Sequence, residues 1–98
     1  MIRHTVVFKL VHELGSAAEQ NFLNIANQLQ TIPGVEKFEC LRQVSAKNTF
    51  TFGLSMEFKS QVEYDGYNNH DLHQAFVNDV WIPQVEDFME IDYEVLAL

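Results

Sequence analysis

Ninety-eight residues are enough for one small domain, expected to span 1–98, near the lower end of the size at which a chain buries its own core. A formal charge of −8 and a pI near 4.7 argue against nucleic acid and anionic lipid as partners, since both demand a basic surface. The 47% hydrophobic content and eight phenylalanines are generous for this length, and so small an apolar chain is expected to complete its core with a second copy of itself.

Residues 2–10 alternate as a strand, with Ile2, His4, Val6, Phe8 and Leu10 on one face that should be buried. Ser16 and Glu19 have the spacing of a capping box, and Phe22, Ile25, Ala26 and Leu29 then recur at helical intervals. Pro33-Gly34 stops that helix and turns the chain. Val35 to Val44 is a second strand and Ser45-Ala46-Lys47-Asn48 a turn. Phe50, Phe52, Leu54, Met56 and Phe58 then alternate with Thr51, Gly53, Ser55 and Glu57 as a third strand. Residues 60–68 form a short helix that breaks near Gly66 or Asn68-Asn69. A longer helix follows from His70 to Val80, and Pro83 starts its final turn. Residues 88–96 alternate once more, Met89, Ile91, Tyr93 and Val95 being apolar and Glu90, Asp92 and Glu94 acidic.

The order β-α-β-β-α-β predicts an α+β, ferredoxin-like fold, a four-stranded antiparallel sheet with its helices on one face. Val7 and the apolar side of the last strand fall on the other face. A second sheet should cover them, giving a homodimer through the open sheet faces that closes an α+β barrel. Cys40 alone cannot form an internal disulfide, so a reducing cytoplasm is expected, with the thiol serving as a small buried hydrophobe. No apolar run approaches membrane-spanning length, the N-terminus lacks a signal-peptide pattern, and no Gly-rich phosphate loop points to a nucleotide. No cofactor is expected.

His4 is the residue that asks for an explanation. A titratable ring on an apolar strand face is costly unless it is paired or used. Tyr67, His70 and His73, on the helical segment near the other end of the chain, are its candidate partners. His70 and His73, three apart with Asp71 and Asp79 nearby, have the spacing of two metal ligands, but nothing in the sequence completes a set and no metal site is expected. His70 is expected to cap its helix or lie at its surface, and His12 needs no function.

Taken in order, Ile2 to Leu10, Ile32-Pro33-Gly34-Val35, Phe52 to Phe58, His70 to Val77 and Ile91 to Val95 resemble the stress-responsive α/β-barrel (Dabb) family of dimeric ferredoxin-like barrels. The resemblance covers nearly the whole chain. Distantly, it extends to the family's best-understood enzyme type, the plant polyketide cyclase that forms olivetolic acid by an intramolecular aldol condensation. The match implies His73 as general base, Tyr67 orienting the substrate carbonyls, His4 on the first strand, and Asp92 hydrogen-bonding the base. The pocket so implied lies between sheet and helices, against Val6, Phe8, Phe22, Leu54, Met56, Phe76, Trp81, Phe88 and Glu90.

Two departures stand out. Asp71 replaces a proline common in the family, and a carboxylate at a helix start keeps that start by another route. Glu90 stands where the cyclase has an apolar pocket residue, and makes the cavity more polar or pairs with His4. Alternation alone puts Glu90 and Asp92 on solvent, whereas the resemblance turns them toward the helices.

The expected function is binding of a small organic ligand, with aldol or cyclase-like acid–base chemistry at His73. The competing readings are a non-catalytic, stress-related dimeric scaffold and a cofactor-free oxygenase. Pocket volume separates them: if Phe8, Phe22, Phe52 and Trp81 fill the space, the catalytic reading fails.

Overall fold

In the computed structural model, which describes residues 1–98, the alternating segment Ile2–Leu10 forms β1, an inner strand of the sheet. It pairs antiparallel with β3 (Phe52–Phe58) on one side and β4 (Val85–Tyr93) on the other. β2 (Glu36–Arg42) forms the far edge, so the four-stranded antiparallel sheet has the order β2-β3-β1-β4. Helices α1 (Ala17–Ala26), α2 (Gln61–Asn69) and α3 (Asp71–Phe76) cover one face, the ferredoxin-like arrangement.

Local chemistry sets the helix boundaries. Ser16 Oγ accepts from the Glu19 amide at 3.2 Å, and the Glu19 carboxylate reaches back to the Gly15 amide at 3.1 Å, a reciprocal cap on α1. Ser60 Oγ caps α2 by accepting from the Glu63 amide at 3.4 Å, without the return bond. The break after α2 falls just past Asn68-Asn69, the second of the two expected places, and not at Gly66. His70 is extended, and its Nδ1 accepts from the Leu72 amide at 3.1 Å, so the ring itself caps α3 and Asp71 occupies the first helical position. α1 runs on as a 3₁₀ segment over Asn27–Thr31, and Gly34 makes the turn beyond it at φ 91°, where a Cβ would meet the Glu63 carboxylate at 2.8 Å. A π turn over Val77–Trp81 and a short turn over Ile82–Gln84 containing Pro83 link α3 to β4.

The strand boundaries shift from expectation in physical ways. β4 begins at Val85, three residues before the expected start, because a register shift between Lys9 and Leu10 lets Val85 stand opposite Leu10. Val95 lies beyond β4, exposed. β2 is shorter than 35–44, and its register slips between Glu36 and Glu39 around Lys37, at φ 50°. Cys40 lies exposed on this edge strand rather than buried, and desolvation by its surroundings pushes its thiol up.

The core lies between sheet and helices. Phe8, Phe22 and Phe58 are wholly buried, with Ile32, Met56 and Tyr67 nearly so. On the opposite face Val7 is half-buried while Met89, Ile91 and Tyr93 of β4 and Leu41 of β2 are exposed, an apolar stripe with no cover in a lone chain. No helix is long and apolar enough to cross a membrane.

Candidate functional site

The register of β1 decides what the site contains. His4 stands opposite Met56 on one side and Asp92 on the other; Val6 stands opposite Leu54 and Glu90. Residues directly opposed in an antiparallel ladder share a face. Glu90 and Asp92 therefore lie on the helix side with His4 and Val6, and Met89, Ile91 and Tyr93 take the open face. The solvent-facing orientation that alternation suggested for the two acids is thus overturned.

His4 is 5% exposed, packed beside Tyr64 and Tyr67 with ring centroids 5.0 and 6.2 Å away. Its Nδ1 lies 2.6 Å from Asp92 Oδ1, the Tyr64 hydroxyl donates to Asp92 Oδ2 at 2.8 Å, and the Tyr64 oxygen is 2.9 Å from the same Nδ1. A carboxylate only accepts, so Nδ1 carries a proton and donates it to Asp92. Nε2 is the nitrogen left over, and it has no partner within the chain. The one buried side-chain polar atom left unpaired is Glu19 Oε2, so His4 Nε2 opens onto the cavity that His4 lines.

Asp92 thus holds His4 and Tyr64, and the expected bond from Asp92 to His73 does not form. His73 instead donates from Nδ1 to the Asn68 carbonyl at 3.1 Å, one of the orphan acceptors that the end of α2 leaves free. The His73 ring packs against Tyr67 in a tilted arrangement, centroids 4.4 Å apart. Burial lowers the His73 pKa below the ordinary imidazole value; the Asn68 carbonyl opposes this, His4 adds to it and Glu90 opposes it. At neutral pH His73 is therefore a neutral ring with its proton on Nδ1 and its lone pair on Nε2. Tyr67 is 2% exposed, and its hydroxyl has no partner in the chain. Burial, then the charge of Glu90, pushes the Tyr67 pKa up, so this phenol stays a neutral donor. Burial likewise raises Tyr64, reinforced by its bond to Asp92.

His4, Tyr67 and His73 look into a cavity of about 270 Å³. Val6, Leu54 and Met56 floor it from the sheet, and Phe88 and Glu90 wall it from β4. Leu29, Phe76, Val77, Trp81 and Ile82 roof it from the helical layer. The π turn brings both Val77 and Trp81 to that roof. Phe8 and Phe22, expected to line the pocket, do not. Both are wholly buried, 5.0 and 6.1 Å from Trp81, in an aromatic cluster that closes one end of the layer. Phe52 belongs to the same cluster, 5.8 Å from Phe8. The large rings fill that end and leave the space over His4 and Val6 open.

Tyr64 was not foreseen as a site residue, nor were Leu29, Val77 and Ile82 as lining. For Tyr64 a signal exists: it lies one helical turn before Tyr67, and the Ser60–Glu63 cap fixes the phase that turns both toward the sheet. His70, engaged as a cap, stands apart from this constellation, and no group of three or more His, Cys, Asp or Glu side chains converges on a metal position.

The model of the family described as Stress responsive A/B Barrel Domain (Dabb) matches residues 2–95. A Dabb family protein with a ferredoxin-like fold from Mesorhizobium loti is 52% identical, covering 98% of this chain and 97% of its own, with a TM-score of 0.95. A hydroxynitrile lyase from Passiflora edulis is 16% identical, covering 99% of this chain and 94% of its own, with a TM-score of 0.85. A dimeric protein of unknown function and ferredoxin-like fold from Bacteroides fragilis is 21% identical, covering 96% and 95%, with a TM-score of 0.72. No curated protein matches the chain.

The state of His73 has a consequence for stability. A ring held neutral in the fold contributes in full above the unfolded imidazole pKa, about 6.5, and the contribution is lost as pH falls from there toward the lowered folded value. His73→Gln should flatten the fall of the urea midpoint between about pH 7 and 5; an unchanged slope would contradict the buried, neutral ring.

Proposed function

The chain belongs to the stress-responsive A/B barrel domain (Dabb) family, and from that premise we propose that it is a homodimer that binds a small, neutral, largely apolar molecule bearing a carbonyl or phenolic oxygen and moves protons on it. What carries this reading is the convergence of three polar atoms without partners, His4 Nε2, His73 Nε2 and the Tyr67 hydroxyl, on an otherwise apolar cavity of about 270 Å³. Unmatched donors and acceptors in such a place are expensive unless a ligand or water completes them. A few convergent polar groups in a mostly apolar cleft are the usual make-up of a small-molecule site.

The roles follow from the protonation states. Tyr67 donates to the ligand oxygen and steadies negative charge that develops there. His73, neutral at pH 7, takes a proton through Nε2 while the Asn68 carbonyl holds its other nitrogen in place. That division suits enolisation, the first step of an aldol cyclisation. Glu90, on the cavity wall, disfavours an anionic ligand and favours the imidazolium formed at His73. A reducing, cytoplasmic setting belongs to the same reading, because Cys40 has no partner in the chain.

Dimerisation through the open sheet is supported by the apolar stripe of Val7, Met89, Ile91 and Tyr93. Ile91→Arg should turn a sedimenting dimer into a monomer with native circular dichroism; a wild type that sediments as a monomer would remove the dimer from the account.

Ligand binding is tested with phenol and cyclohexanone, followed by the side-chain NMR signals of the four histidines. Both probes should shift His4 and His73 and leave His12 still. Tyr67→Phe should weaken each about tenfold, the worth of one hydrogen bond in a dry site. If neither probe moves any imidazole, the non-catalytic scaffold is the better description.

A further inference from the structure

His4 has one nitrogen in the cavity and the other engaged outside it. Its side chain is 6% exposed, while that of Asp92, bonded to Nδ1, is 39% exposed. Asp92 and Tyr64 do not line the cavity. They line a separate recess of about 310 Å³ on the other side, together with Gln61 and Glu94. The ring of His4 is therefore the partition between an apolar interior and a polar recess in contact with solvent. A purely structural histidine would have both nitrogens satisfied, and this one has not.

We infer that His4, Asp92 and Tyr64 form a proton relay through the cavity wall, exchanging a ligand proton with solvent while the ligand fills the cavity. The inference rests on the ligand-binding reading above and adds a path that reading does not need. In the outward step His4 Nε2 accepts a proton from the ligand and Nδ1 gives its own to Asp92 Oδ1. The carboxylic acid so formed passes that proton to water in the recess. The ring is left neutral, now protonated at Nε2. The inward step is the reverse: Asp92 takes a proton from the recess and returns it to Nδ1, and Nε2 delivers its proton to a different atom of the ligand. One proton leaves and one returns, with no change of oxidation state. A reaction that removes a proton from carbon and later protonates oxygen or another carbon uses both steps.

Asp92 and Tyr64 are positioning residues in this scheme, since neither meets the ligand. Asp92 fixes the tautomer and balances the positive charge while His4 holds two protons. Tyr64, kept a neutral hydroxyl by burial and by its bond to Asp92, holds the second carboxylate oxygen so that the first faces Nδ1. Glu90 and His73 face the ring from within the cavity, and Glu94 lies at the recess. An asparagine at position 92 offers an amide N–H to Nδ1, which forces the proton to Nε2 and blocks the outward step.

The test is exchange of the α-hydrogens of cyclohexanone in D₂O, read by proton NMR, with affinity measured alongside. The wild type should speed exchange over buffer. At saturating cyclohexanone, Asp92→Asn should slow it about tenfold or more, Asp92→Glu should restore part of the rate, and Tyr64→Phe should fall between. Asp92→Asn or Tyr64→Phe within about twofold of wild type would overturn the relay, as would binding without exchange in the wild type, and in either case ligand binding would stand. If cyclohexanone neither binds nor exchanges in the wild type, the ligand-pocket reading falls, and the relay with it.

Discussion

A single charge-assisted hydrogen bond, from His4 Nδ1 to Asp92 Oδ1 at 2.6 Å, joins an inner strand to an edge strand across the rim of the core. Its importance lies in register more than in its own energy. Sliding β4 by one residue against β1 would turn Glu90 and Asp92 to the open face and bring Met89, Ile91 and Tyr93 under the helices. The cavity would then lose its acidic wall, His4 would be buried without a partner, and the stripe on the open sheet would become acidic. The pairing that satisfies a costly buried imidazole thus also leaves an apolar face for a second sheet.

The space between sheet and helices is divided along its length. At one end Phe8, Phe22, Phe52, Phe76 and Trp81 pack ring against ring, with no polar atom to satisfy except the indole N–H. At the other, shorter side chains on the sheet leave room, and every polar group at the margin is either held by the fold or turned into the cavity. Tyr64 and Asp92 are held. His4 and His73 are held by one nitrogen and offered by the other, and Tyr67 offers its only hydroxyl. Rigid aromatic packing beside the cavity supports the accuracy that such an arrangement needs.

Much of the fold was legible in the sequence because two periods ran without interruption. The alternation of Ile2–Leu10 and of Phe52–Phe58 leaves no other phase, and Ser16 with Glu19 marks the start of α1 as it is found. That His4 needs a partner also followed from alternation. Which partner did not. Helix residues were the natural candidates, yet the partner comes from the neighbouring strand and from Tyr64, since a strand whose alternate residues are Glu90, Asp92 and Glu94 resembles one with a solvated face. Phe8 and Phe22 show a second limit. Periodicity tells which face a side chain occupies, not how far along the layer the cavity begins, and both rings sit beyond its end. The break between α2 and α3 was legible too: it falls just after Asn68-Asn69, the later of the two places the sequence offered, and His70 caps α3 as expected.

The central claim is that His4 and His73 each present an unprotonated Nε2 to the cavity. Long-range ¹⁵N correlation of the imidazole rings in the free wild-type protein near neutral pH tests it most directly, because the two tautomers give distinct nitrogen shifts. The account predicts that both rings carry their proton on Nδ1, His4 held there by Asp92 and His73 by the Asn68 carbonyl. A proton on Nε2 of either ring would contradict it, since that nitrogen could then only donate, and the cavity would lack the base on which the proposed chemistry depends.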